Sequence, residues 1–122
     1  MASDPDRTIP APDRPVPGSG AIVAALAEAA NRAPDATLGK PGETAARAVE
    51  SRVAGRNGEV LVVGDRLDTD IALGDNAGMA TALVLSGIAT RADAASSPVA
   101  PDHVLDSVAD LPALLDSWES RR

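Results

Sequence analysis

The sequence contains no cysteine, no phenylalanine and no tyrosine; Trp118 is its only aromatic residue, His103 its only histidine and Lys40 its only lysine. Without thiols there is neither a disulfide framework nor cysteine chemistry, which fits a reducing cytoplasm. Without large aromatics any core must be built from small side chains. The hydrophobic fraction is 44%, but 25 of the 122 residues are alanine, and burial stabilises in proportion to apolar area, at about 25 cal/mol per Å². A thin core and marginal stability follow. The excess of 18 acids over 11 Lys and Arg leaves a net charge of −7, which argues against a nucleic-acid phosphate track or an anionic membrane surface as the main partner. Long apolar runs are missing too: the stretch that starts at Ala21 is broken by Glu28, and the opening "MASDPDRT" is acidic where a secretory leader is basic. A cytoplasmic protein of one compact domain, or part of one, is expected.

What is present divides at about residue 20. Residues 1–20 hold five of the ten prolines and close with "PGSG", which predicts an extended, turn-rich lead-in. In "AIVAALAEAAN", residues 21–31, Ile22, Val23, Leu26 and Ala30 form an apolar stripe at helical spacing. "ATLGKPGE" reads as a short strand or turn leading into a second helix, with Pro41 at its first position and its end near Ala54. "EVLVV" stops at Gly64 and has the pattern of a strand buried on both faces of a parallel sheet. A helix from about Asp68 to Ala77 follows, ended by Gly78 in a left-handed conformation. "ATALVLSG" is a second buried strand, "DHVLDS" a short third, and "DLPALLDSW" a terminal helix with Leu111, Leu114 and Leu115 on one side. Strands alternating with helices predict an α/β fold, a Rossmann-like parallel sheet with flanking helices, over residues 21–122.

The acids of "VLVVGDRLDTDI" are the feature that most needs a chemical reason. Asp65, Asp68 and Asp70 crowd the point where a buried strand ends, and like charges there repel unless something positive sits among them. Open parallel α/β sheets bind ligands outside the carboxyl ends of their strands, which is where Asp65 falls. Mg²⁺ is held by one or two carboxylates plus water and substrate phosphate, so Asp65 and Asp70 are chemically sufficient. Helix capping is the bland explanation for Asp68, and the positive end of the helix dipole for Asp70; neither accounts for Asp65. Lys40, set between Gly39 and Pro41, is a compact point charge suited to phosphate. "GSGAIV" lacks the third glycine of a dinucleotide fingerprint, "DRLDTDIALGD" fits no frame of a calcium loop, and His103 reads as structural.

Taken together, "GKP", the 24 residues that separate Lys40 from Asp65, and "VGDRLDTDI" followed by "NAGMATALVLSG" resemble the carboxyl-terminal half of a haloacid dehalogenase (HAD) superfamily phosphatase. The similarity is to the subfamily of 4-nitrophenylphosphatase, phosphoglycolate phosphatase and NagD-like enzymes. It extends to "ASDPDRTIP", which is similar to the family's "ATNPD" stretch at the end of its cap region. The resemblance implies a HAD-like core and hydrolysis of phosphomonoesters on small phosphorylated metabolites. It also implies Lys40 as the catalytic, phosphate-holding lysine, Asp65 and Asp70 as the Mg²⁺ carboxylates, and Asp6 as a substrate-binding residue. Asp4 stands where the family has Asn, and Ser86 where it often has Thr. The family's DxDGT or DxDGV motif, whose first Asp becomes phosphorylated, does not occur in these 122 residues. A fragment lacking the nucleophile half is therefore expected, alternatively an inactive remnant that binds or oligomerises. In the family the nucleophile strand lies beside "VLVV", so this strand should present an open edge. A separate amino-terminal half or a second copy of the chain would pair with it.

Overall fold

The computed structural model describes residues 1–3, 5–53 and 59–119. Its centre is a parallel sheet of three strands in the order β3-β4-β5, with β3 at Leu61–Gly64, β4 at Ala80–Val84 and β5 at His103–Leu105. Leu61 is opposite Ala80 and Gly64 opposite Leu83, while Ala82 is opposite His103. Parallel neighbours require a crossover. Between β3 and β4 the crossover is a π-helical turn at Leu67–Ile71 followed by α3, Ala72–Asn76. Between β4 and β5 it is α4, Arg91–Ser96. The alternation read from the sequence is thus the architecture: an α/β fold with a parallel sheet and flanking helices.

Burial follows position in the sheet. β4, between two neighbours, buries Ala82 and Leu83 completely, both at 0% exposure. β3 differs from expectation: all four of its residues are half-buried, not enclosed on both faces. The reason is topological, since β3 lies at the sheet's edge and no strand among the described residues pairs with its outer side. One core cluster joins Leu73, Ala77 and Met79 to Ala46 of α2, Glu43–Val53, with Val60 and Val62 packed against it. The other joins Ile71, Leu83 and Ala89, flanked by Leu67 and Val99.

Several element boundaries shift for local reasons. Pro41 is not the first residue of α2, which begins at Glu43. A tight turn from Gly39 to Gly42 precedes it, closed by the Gly42 N–H on the Gly39 carbonyl at 2.8 Å. A Cβ on Gly42 would sit 2.7 Å from the Thr37 carbonyl oxygen, so this turn has room only for glycine. The helix reaches Val53, and its expected end at Ala54 lies outside the described residues. The helix expected from Asp68 opens as the π turn and closes at Asn76. There Gly78, at φ +63°, and Met79 donate to the Asp75 and Gly74 carbonyls, the two bonds of a Schellman ending. The sequence reading had no counterpart for α4. Its start is a reciprocal cap, with the Asp93 N–H on Thr90 Oγ1 and the Thr90 N–H on Asp93 Oδ2. The terminal helix α5, Leu111–Glu119, half-buries Leu111 and Leu114 but leaves Leu115 exposed.

Residues 1–20 contain a short antiparallel pair, β1 Thr8–Ile9 with β2 Val16–Pro17. The helix read at 21–31 is α1, Ser19–Ala29, and none of its residues is buried. Ala2 bridges to Thr37, its N–H on the Ala36 carbonyl and its carbonyl accepting from the Leu38 N–H, both at 2.8 Å. That bridge pins the amino terminus to the segment that carries Lys40.

Candidate phosphate and cation site

The carboxyl end of β3 sets the geometry. Asp65, the residue after the strand, is held by the loop after β4: its carbonyl accepts from the Ala89 N–H and its Oδ2 from the Ile88 N–H, both at 3.0 Å. A Cβ on Gly87 would fall 2.1 Å from Asp65 Oδ2. Only glycine lets the loop come this close, and the loop fixes the carboxylate's direction.

Asp70 is 8% exposed and sits in the wide turn in which the Asp70 and Ile71 N–H groups share the Arg66 carbonyl, each at 3.1 Å. Its Oδ2 accepts from the Arg66 N–H at 3.3 Å, and its Oδ1 accepts from Lys40 Nζ. A Cβ on Gly64 would lie 2.2 Å from the Asp70 Cβ and 2.4 Å from its Oδ2. The glycine that ends β3 thus leaves room for the carboxylate to lie over the strand terminus. The side chains of this pair are unequal: Asp70 is 11% exposed and Lys40 51%.

Asp68 does not cap the helix. Its two oxygens accept from Arg66 Nε at 3.2 Å and Nη2 at 3.0 Å. The N–H at the turn's entrance is already taken by Asp70, and the guanidinium offers a bidentate partner instead. That hydrogen-bonded contact holds the Asp68 carboxyl below its usual range and pushes the Arg66 guanidinium up. Arg66 Nη2 also lies 3.3 Å from Asp6 Oδ1, tying the amino-terminal segment to the acidic turn.

The structure therefore brings Lys40, Arg66, Asp6, Asp68 and Asp70 into one contact network and places Asp65 beside it on the same strand end. The four carboxylates outnumber Lys40 and Arg66 by two charges, the charge of one divalent cation. Among the described residues no group of three or more His, Cys, Asp or Glu side chains is arranged to hold a metal ion. Mg²⁺ needs no such cage, because water completes its shell around one or two hard carboxylates; Asp65 and Asp70 fit that chemistry. His103 lies half-buried on β5, Ser86 is exposed after β4, and Asp4 lies outside the described residues. Arg66 and Gly87 are the members that the sequence reading did not single out. Arg66 had a signal, a cation inside a run of acids, whereas Gly87 had none, because its role depends on β4 lying next to β3.

Comparison with known proteins places this geometry in a family. The HAD-hydrolase-like family profile matches residues 37–111, from the turn before Lys40 to the start of α5. Dihydroxyacetone phosphatase of Corynebacterium glutamicum is 37% identical over 119 residues, which are 98% of this chain and 42% of that protein. A p-nitrophenyl phosphatase from Archaeoglobus fulgidus superposes with a TM-score of 0.78 at 37% identity, covering 91% of this chain and 44% of that one. A glycerol phosphate phosphatase from Mycobacterium tuberculosis, solved in complex with magnesium, gives a TM-score of 0.78 at 34% identity over 88% of this chain and 32% of its own. The chain thus spans less than half the length of these relatives. No helix among the described residues is long and apolar enough to cross a membrane.

Proposed function

This chain belongs to the HAD-hydrolase-like family, and from that membership we propose that it forms the lysine and aspartate part of a Mg²⁺-dependent phosphomonoester phosphatase. The observation that carries the reading is the seating of Lys40 on Asp70 at the carboxyl end of β3, with Asp65 on the same strand end. In this reading Asp65 and Asp70 hold Mg²⁺, whose chemistry is to offset charge on the phosphoryl oxygens. Lys40 binds the phosphoryl group as a point charge. Asp6, in ion-pair contact with Arg66, binds the substrate, a small phosphorylated metabolite, and the location is cytoplasmic.

Bond cleavage needs a nucleophile, and the DxDGT motif that provides one in the family is not in these 122 residues. The open side of β3 is where a further strand would pair. A strand carrying the nucleophile, supplied from outside these residues, would stand next to Asp65 and Asp70 there.

Mg²⁺-induced thermal stabilisation tests the reading, with 4-nitrophenyl phosphate turnover measured on the same samples. Mg²⁺ should raise the melting temperature of the wild type but not that of Asp65→Asn, and neither should turn over substrate. Turnover abolished by Asp65→Asn would reveal a nucleophile within these residues. Equal Mg²⁺ response of both proteins would remove Asp65 from the metal site.

A further inference from the structure

Lys40 and the expected cation share one ligand, and the two members of the Lys40–Asp70 pair differ in freedom. Asp70 is enclosed: a Cβ on Gly64 would lie 2.2 Å from its Cβ, the Arg66 N–H holds Oδ2 at 3.3 Å, and the side chain is 11% exposed. Lys40 is open to solvent: its side chain is 51% exposed and rides on a flexible four-carbon stem. The ammonium sits on Asp70 Oδ1. A divalent cation approaching Asp70 meets a positive charge already in place, and charges of one sign at one carboxylate disfavour each other.

We propose that Lys40 gates the cation: while seated on Asp70 it holds divalent affinity down, and a phosphoryl anion releases the site by drawing the ammonium away. The inference rests on the functional reading above and adds to it an order of events. Phosphate and Mg²⁺ then bind with positive coupling that resides in Lys40, and by linkage each raises the other's affinity by the same factor. The remaining positive neighbour, Arg66, does not take part in the gate, because its guanidinium is engaged by Asp68 and Asp6.

The test is titration calorimetry of the purified chain with MgCl₂, with and without inorganic phosphate, on wild type, Lys40→Gln and Lys40→Arg. Lys40→Gln should bind Mg²⁺ alone at least about five-fold more tightly than wild type, and Lys40→Arg should not, since the charge is kept. Phosphate should tighten Mg²⁺ binding more in wild type than in Lys40→Gln. Unchanged or weaker Mg²⁺ affinity in Lys40→Gln overturns the gate while leaving the metal site intact. Absence of Mg²⁺ binding both to the wild type with phosphate and to Lys40→Gln, or binding unaffected by Asp65→Asn, overturns both the gate and the functional reading. Should Lys40→Gln not fold, wild type alone decides: phosphate that leaves Mg²⁺ affinity unchanged refutes the coupling.

Discussion

α1 and β4 are both strings of alanine and aliphatic residues, yet one is wholly exposed or half-exposed and the other almost wholly buried. α1 leaves Ile22 at 61% and Leu26 at 65% exposure, whereas β4 buries Leu83 and Ala82 completely. Composition does not separate them; neighbours do. β4 has a strand on each side and receives Ile71 and Ala89 against Leu83, while the main contacts of α1 among the described elements are with the two-residue strands β1 and β2. An apolar segment becomes core only where a partner surface reaches it, and in a protein with little large apolar side chain such surfaces are few.

The strongest test of that difference is Leu83→Ala. Removing a fully buried leucine loses its transfer energy and leaves a cavity, a loss of about 3 kcal/mol. For a chain whose total stability is on the order of 5–15 kcal/mol, urea denaturation should show a large fall in midpoint. A loss under about 1 kcal/mol would mean that the centre of the sheet is as loosely held as α1.

The same contrast explains how much was legible beforehand. β4 and β5 could be read because an aliphatic run bounded by turn residues has few alternatives, and Gly78 because a left-handed helix ending favours glycine. β3 was read correctly as a strand and wrongly as fully enclosed, since its composition suits a central position that it does not occupy in these residues. Lys40 and Asp70 stood out by residue type, but that the lysine sits on the aspartate depends on the turn at Gly39–Gly42, which no local pattern announces. Asp68 was read as a cap because a cap is a local device; the guanidinium two residues away offered it a stronger partner. α4 was hidden by its length of six residues, too short for periodicity to show.

At the acidic turn the comparison acquires a pH dependence. Contact with Arg66 lowers the Asp68 carboxyl below its ordinary value of 3.8. A depressed folded value stabilises the fold above the unfolded value, and that contribution is lost as pH falls through 3.8 toward the folded one. The Asp68 side chain is 69% exposed, so solvent screening keeps the effect to about 0.5 kcal/mol. Between pH 5 and pH 3 the wild type should therefore lose slightly more stability than Asp68→Asn. Parallel loss in both proteins would show that the Arg66 contact stores no energy.

The smallest effect is assigned to the residue that hydrophobicity alone would rank among the largest. Leu26 lies at the centre of the α1 stripe, but at 65% exposure it has little burial to lose. Leucine and glutamine differ little in helix propensity, so Leu26→Gln should change the unfolding free energy by less than about 0.3 kcal/mol, within the range of ordinary surface substitutions. Chemical denaturation of the two proteins side by side reads this directly. A loss approaching that of Leu83→Ala would mean that α1 is covered in solution by a surface these contacts do not include, and the contrast between the two apolar segments would collapse. A null result would establish that the stability of this chain resides in the sheet and its crossovers, the elements that also hold Asp65 and Asp70.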